Sequence, residues 1–239
     1  MKAAKSKEEF VHDVFERIAP KYDRMNDILS FQRHRYWRKF TMNKLAIKPG
    51  MAALDLCCGT CDWTIALAEA SGTGRTVGLD FSPSMLEVGE RKVQEAGLAS
   101  RIELVQGNAM SLPFSDNLFD IVTIGFGLRN VPDIEQVLLE MQRVVKPGGR
   151  VVCLELSKPT WQPFKGLYYF YFRRVLPLLG KLLARSYEEY KWLPESLLQF
   201  PDHRQLAETF RETGLVQVEA HPLTGGIAAL HIGTKNLNK

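Results

Sequence analysis

The chain is 239 residues long, enough for one α/β domain with a sizeable core and a few added elements. Its 45% hydrophobic and 24% charged residues are ordinary for a globular protein, and a net charge of +4 without a dense basic stripe argues against nucleic acid as a partner. The four cysteines, Cys57, Cys58, Cys61 and Cys153, are too few for a disulfide framework and fit a reducing cytoplasm. No apolar run is long enough to predict a membrane span, and the N-terminus lacks the apolar core of a secretory signal.

Residues 6–19 read as a helix with Phe10, Val11, Val14, Phe15 and Ile18 on one face, stopping at Pro20. Residues 21–46 continue as short helices rich in aromatics, with cations gathered from Arg33 to Lys39. Lys48-Pro49-Gly50 is a turn that opens a regular alternation. Strands are expected at 52–56, 75–80, 102–106, 119–125 and 149–155, and helices at 62–71, 83–97 and 133–145. Lys146-Pro147-Gly148-Gly149 reads as a sharp turn into the fifth strand. This rhythm implies a parallel sheet covered by helices on both faces. Beyond residue 157 it breaks. An aromatic and leucine-rich helical insertion is expected over 161–185, more helix over 186–213, and two antiparallel strands at 215–220 and 227–234. The expected organisation is one domain: an N-terminal helical lid (1–47), a cofactor-binding core (48–157), a helical insertion (158–213) and C-terminal strands (214–239).

The segment from Ala53 through Asp55-Leu56-Cys57-Cys58-Gly59-Thr60-Cys61 to Trp63, followed by Val77-Gly78-Leu79-Asp80, is the most specific local signal. It reads as a strand, a small-residue turn, a helix and a second strand ending in an acid, the first half of a nucleotide-type site. A dinucleotide site wants G-x-G-x-x-G so that backbone can approach a pyrophosphate. Here only Gly59 remains, flanked at two positions on either side by Cys57 and Cys61. Such a turn suits an adenosine ligand without phosphate, S-adenosylmethionine rather than NAD. The expected fold is therefore α/β, a class I S-adenosylmethionine-dependent methyltransferase with a Rossmann-like seven-stranded sheet and an antiparallel last strand. Cys58 and Cys61 form a lone C-x-x-C without the further ligands zinc would need, so they read as packing residues and no metal is expected.

Within this frame Asp55 would face the cofactor's ammonium, the alternative being a cap for the turn. Thr60 offers a hydroxyl beside the methionine portion. Asp80 can accept two ribose hydroxyls, or else cap the helix that follows Ser82-Pro83. Asn108 and Ala109 follow the third strand where an adenine ring would lie, unless Asn108 is a simple turn residue. Gly125-Phe126-Gly127-Leu128-Arg129-Asn130 ends the fourth strand over the reaction centre, and Gly125 lets backbone approach the ligand. Arg129 reads either as a functional cation or as half of a structural ion pair. The fourth strand lacks the D/N-P-P-Y pattern of many base methyltransferases.

Two longer motifs go further. Tyr22-Asp23-Arg24-Met25-Asn26-Asp27-Ile28-Leu29-Ser30 with His34 and Trp37, and Arg143-Val144-Val145-Lys146-Pro147-Gly148-Gly149 with Leu154-Glu155 and Ser157, match the two signatures of the ubiquinone/menaquinone biosynthesis C-methyltransferases. The chain resembles that family from about residue 8 to residue 235. Its double cysteine before Gly59 is similar to the branch acting on demethylmenaquinol in menaquinone-only bacteria. Other members carry Gly-Gly there, and Cys61 replaces a residue that is often Gly or Ala.

The resemblance implies methyl transfer from S-adenosylmethionine to a ring carbon of a prenylated quinol, demethylmenaquinol, with the ubiquinone-pathway benzoquinol as the alternative substrate. Another small-molecule methyltransferase or a cofactor-binding scaffold would be the remaining readings of the fold. Carbon becomes nucleophilic only in an electron-rich phenolate, so Arg129 is expected to stabilise that oxyanion and Asn130 to orient it. Tyr22, Asp23 and His34 in the lid are candidates for assisting proton removal, although His34 reads equally well as a structural partner of Trp37. For the prenyl tail, residues 161–185 interleave aromatics and leucines with Lys165, Arg173, Arg174, Lys181 and Arg185. That pattern is expected to make peripheral membrane contact at the cytoplasmic face, with a cap over the site or a homodimer contact as alternatives.

Overall fold

The computed structural model describes residues 6–159 and 187–237, together with 166, 170 and 174. The insertion expected over 161–185 lies outside the described residues except at those three positions. Seven strands, β1 (Ala53–Leu56), β2 (Thr76–Asp80), β3 (Ile102–Gln106), β4 (Phe119–Gly125), β5 (Val145–Leu156), β6 (Leu215–Leu223) and β7 (Ala228–Lys235), form one sheet in the order 3-2-1-4-5-7-6. The first five run parallel, and β7 lies antiparallel between β5 and β6. The order reverses between β1 and β4, and such a reversal opens a crevice at the carboxyl ends of the strands.

The helices are α1 (Lys7–Ile18), α2 (Tyr22–Leu29), α3 (Arg33–Leu45), α4 (Asp62–Ser71), α5 (Pro83–Glu95), α6 (Ile134–Val144), α7 (Tyr187–Gln199) and α8 (His203–Glu212). Every residue of β1 and β2 is buried, as a strand covered on both faces requires. Alternation divides the core. Leu54, Leu56, Val122, Ile124 and Val151 join Leu138 and Met141 of α6 and Phe210 of α8, whereas Ala53, Ile121, Val152 and Leu154 join Trp37 of α3 and Trp63 and Leu67 of α4.

Two boundaries depart from the sequence pattern for local reasons. Lys146-Pro147-Gly148-Gly149 does not precede β5 but interrupts it. Val145 already pairs with Phe119, the next four residues bulge outward, and pairing resumes where Arg150 faces Ile121. Pro222, expected in the connection, lies within β6 opposite Ala229, where an edge strand tolerates its missing N–H.

The N-terminal helices pack over the crevice. Ser6 and Glu9 form a capping box that starts α1. At its other end Glu16 accepts hydrogen bonds from the Ser82 and Ser84 hydroxyls, which ties α1 to the start of α5.

Candidate active site

The turn after β1 forms the floor of the site. Cys57, Gly59 and Cys61 all have positive φ (51°, 54° and 65°), a region that costs an L-residue roughly 1–2 kcal/mol. The space for the cysteine side chains comes from glycines opposite them. A Cβ at Gly127 would lie 2.5 Å from the Cys57 Cβ, and one at Gly78 would lie 3.1 Å from the Cys58 Sγ. The larger turn residues are thus accommodated by smaller neighbours. Cys58 and Cys61 are free thiols with sulfurs 4.0 Å apart, and among the described residues no group of side chains is arranged to hold a metal.

Asp55 and Asp80 stand on either side of this turn, both almost fully buried. The Thr64 and Thr123 hydroxyls donate to Asp55 at 2.8 and 2.7 Å. The backbone N–H groups of Gly59 and Ser82 donate to Asp80 at 2.8 and 3.0 Å. None of these donors carries a charge. Burial therefore outweighs the hydrogen bonds and pushes each carboxyl up to about 6. Asp55 is held to two threonines as a structural acid would be, while its side chain also borders the larger cavity described below.

Asn108 and Ala109 line the narrower cleft beside Asp80. The Asn108 Oδ1 accepts from the Met110 N–H, so it does make a local turn. Its amide nitrogen donates to Glu8 of α1 at 3.3 Å. Helix α1 also reaches the far side of the cleft, where the Lys7 ammonium donates to the Val131 carbonyl.

A polar cluster closes α2 onto the turn. The Thr60 hydroxyl donates to Asp23, and the Lys92 ammonium of α5 donates to Asp23 (2.6 Å) and to Asp62 of α4. Arg38 of α3 pairs with Asp62 at 2.7 Å. Burial pushes Asp62 up, but Arg38 and Lys92 more than offset this and hold it below the usual carboxylate range. Thr60 is thus bound to α2, and the Tyr22 ring packs 3.8 Å from where a Gly59 side chain would begin. Burial raises the Tyr22 phenol above its ordinary value.

At the end of β4, Gly125 lies under the Trp63 ring, leaving no room for a side chain. Arg129 forms a buried ion pair. Its Nη1 donates to Glu155 at 2.6 Å and to the Phe126 carbonyl, while its Nε is buried without a partner among the described residues. Asn130 lines both the narrower cleft and the larger cavity and also makes a structural contact. Its Oδ1 accepts the indole N–H of Trp192 at 3.0 Å, which anchors α7, and the Trp192 ring meets Phe10 of α1 edge-on. His34 contacts the Ser30 hydroxyl at 2.7 Å and Asp27 at 3.5 Å. Burial and then Arg38 lower its pKa. Among the described residues its polar partners are these two, and the Trp37 indole instead donates to Thr224.

Two spaces meet here. The narrower cleft is walled by Asp80, Asn108 and Ala109. A cavity of about 620 Å³ runs from the turn past Asp55, His34, Trp37, Arg129 and Trp192. They share walls at Phe15, Tyr22, Cys57, Gly59, Gly125, Phe126 and Asn130. The volume falls in the range of small-molecule sites. Lys92, Glu16 and Trp192 carry no signal in the sequence; each acts through a partner at least 62 positions away, apart from Lys92 with Asp62 and Thr60.

Comparison with known proteins gives a consistent result. The model of the ubiE/COQ5 methyltransferase family matches residues 2–235. A demethylmenaquinone methyltransferase of Alkalihalophilus pseudofirmus is 58% identical over 98% of this chain and 99% of its own length. Another, from Geobacillus stearothermophilus, is 61% identical over 96% and 98%. Among solved structures, a putative S-adenosyl-L-methionine-dependent methyltransferase of Methanococcus maripaludis aligns with a TM-score of 0.66 at 20% identity, covering 99% of this chain and 97% of the other.

Proposed function

The chain belongs to the ubiE/COQ5 methyltransferase family, and from that premise we propose that it methylates a ring carbon of demethylmenaquinol with S-adenosylmethionine as methyl donor, giving menaquinol. The single observation that carries the geometric side of this reading is the junction of a cleft and a larger cavity at Gly59, Gly125 and Asn130. A donor in one and a ring in the other would meet at that junction. The donor set also fits. Asp55 and Asp80 are buried acids with no cation in ion-pair contact among the described residues, and a ligand carrying an ammonium and ribose hydroxyls would satisfy both.

S-adenosylmethionine, when bound, supplies an electrophilic methyl. The chain's own residues bind, orient and handle the proton. Asp80 is assigned to the ribose hydroxyls, and Asp55 with Thr60 to the amino-acid end. Asn108 and Ala109 border the adenine, and Gly125 supplies the close wall. In the larger cavity the Arg129 Nε is a buried donor in need of an acceptor, and the phenolate of a quinol is such an acceptor. Asn130 positions the wall through Trp192 rather than by touching the ring. Tyr22 keeps its proton at neutral pH because burial raises its pKa, so it serves as a donor. His34, kept neutral by burial, is the group assigned to receive the phenol proton.

Residues 1–47 act in this scheme as the lid over the 48–157 core. By composition, the interleaved aromatics and cations of 161–185 suit a membrane interface for the prenylated substrate. Arg129→Lys tests the scheme, since it keeps a cation for Glu155 while deleting the Nε donor. It should lower kcat about 10²–10³-fold with cofactor affinity intact. Full turnover would remove Arg129 from the reaction.

A further inference from the structure

Two residues bordering the larger cavity hold a left-handed backbone that favours glycine, although both carry side chains. Phe126 has φ +57° and Thr224, in the turn between β6 and β7, has φ +50°. Phe126 sits between Gly125 and Gly127, and Thr224 is followed by Gly225 and Gly226. A β-branched residue at positive φ is an outlier, and strained positions of this kind gather at ligand sites. Both side chains meet the same partner. The Trp37 ring of α3 lies tilted with its centre 6.1 Å from that of the Phe126 ring, and its indole N–H donates to the Thr224 hydroxyl at 2.8 Å.

That hydrogen bond decides what the hydroxyl can do. A threonine hydroxyl has one proton to donate and lone pairs with which to accept. Trp37 takes a lone pair of Thr224, and among the described residues nothing accepts its proton. Thr224 is itself exposed at the cavity wall. Around it the wall is apolar: Phe126, Leu156 and Ile227 border the cavity and pack against the core cluster that holds Trp37. This end of the cavity is therefore a partly aromatic slot with a hydroxyl donor. Arg129, whose Nε is also without a partner among the described residues, borders the same cavity, and its Nη1 donates to the carbonyl of Phe126. Slot and cation are thus tied together through one residue.

A quinol ring carries an oxygen at each of two opposite carbons. We propose that Phe126 and Trp37 form the slot for that ring, and that the Thr224 hydroxyl donates to the ring oxygen opposite the one held by Arg129. The inference rests on the quinol reading and adds to it the residues that select a ring with two oxygens over a ring with one. The contacts of Trp37 with both left-handed residues hold the slot in shape before the ring arrives.

The test is calorimetry on the whole protein with two probes, 1,4-naphthalenediol kept reduced and 1-naphthol, which has a single oxygen. The wild type should bind the diol about three- to tenfold more tightly, the worth of one hydrogen bond. Thr224→Val should weaken the diol by that factor and leave 1-naphthol unchanged, so that the preference vanishes, and Thr224→Ser should restore it. Thr224→Gly deletes the hydroxyl at a backbone position that suits glycine, and it should lose the preference as well. Phe126→Leu should weaken both probes together, because it removes the ring and not the donor. A preference that survives in both hydroxyl-free variants would overturn the proposal, and so would an equal loss of both probes in them. A wild type that prefers the diol but transfers no methyl to a short-tailed demethylmenaquinol would leave the slot standing and count against quinol methylation instead.

Discussion

Replacing Asp55 by Asn should stabilise the ligand-free protein while weakening its hold on the cofactor. Asp55 is 1% exposed, and its carboxyl is pushed from 3.8 up to about 6 by burial, against two threonine hydroxyls that favour the charged form. A shift of about two units at about 1.4 kcal/mol each places the cost of keeping this group ionised in the fold near 3 kcal/mol. Because the folded-state pKa lies above the unfolded one, the native state binds more protons between pH 4 and pH 6. Stability therefore falls as pH rises through that window and is lowest, on this account, above pH 6. Asn keeps the shape and one acceptor without the charge. At pH 7.5 the variant should gain about 1–3 kcal/mol, or roughly 2–12 °C in Tm for a chain of this length, and the gain should disappear near pH 4. Urea unfolding at the two pH values reads the difference, and calorimetry with S-adenosylmethionine at pH 7.5 should show a Kd raised about tenfold or more. A variant less stable at pH 7.5, or equally stabilised at both pH values, would refute the reasoning.

Three further outcomes follow from the same geometry. Cofactor affinity in the wild type should weaken as pH falls below about 6, because Asp55 and Asp80 take up protons there, and a pH-independent Kd would show that neither meets the ligand's charge. Lys92→Met removes the cation shared by Asp23 and Asp62 and should speed cofactor release several-fold, measured by stopped flow, with less than about 1 kcal/mol lost from global stability because the pairs are partly exposed. Gly125→Ala places a methyl 2.6 Å from the Trp63 ring and should cost about 1–3 kcal/mol in thermal unfolding.

Much of the architecture is legible in the sequence because it rests on local signals. Strand and helix periods over residues 52–145 place the sheet, and the run from Asp55 to Cys61 marks the crevice. Legibility ends where a residue's role depends on partners distant in the chain. Asn130 lines both spaces, but that its Oδ1 also accepts from Trp192, 62 positions later, cannot be read from spacing. The hydrogen-bonded cluster of Asp23, Thr60, Asp62 and Lys92 joins α2, the turn after β1, α4 and α5, which no spacing rule relates. The left-handed Thr224 is invisible for a related reason: sequence rules place glycine or asparagine at such a position, and only the backbone reveals the exception. The bulge in β5 was hidden because Lys146-Pro147-Gly148-Gly149 has the composition of a turn, and only pairing of Val145 with Phe119 reveals the strand around it.

The most direct test of the account is methyl transfer from labelled S-adenosylmethionine to a short-tailed demethylmenaquinol, run under reductant beside the matching ubiquinone precursor. The account predicts label on the naphthoquinol ring, carbon-bound and dependent on prior reduction of the quinone. Label on neither ring, with the cofactor still bound, would contradict it.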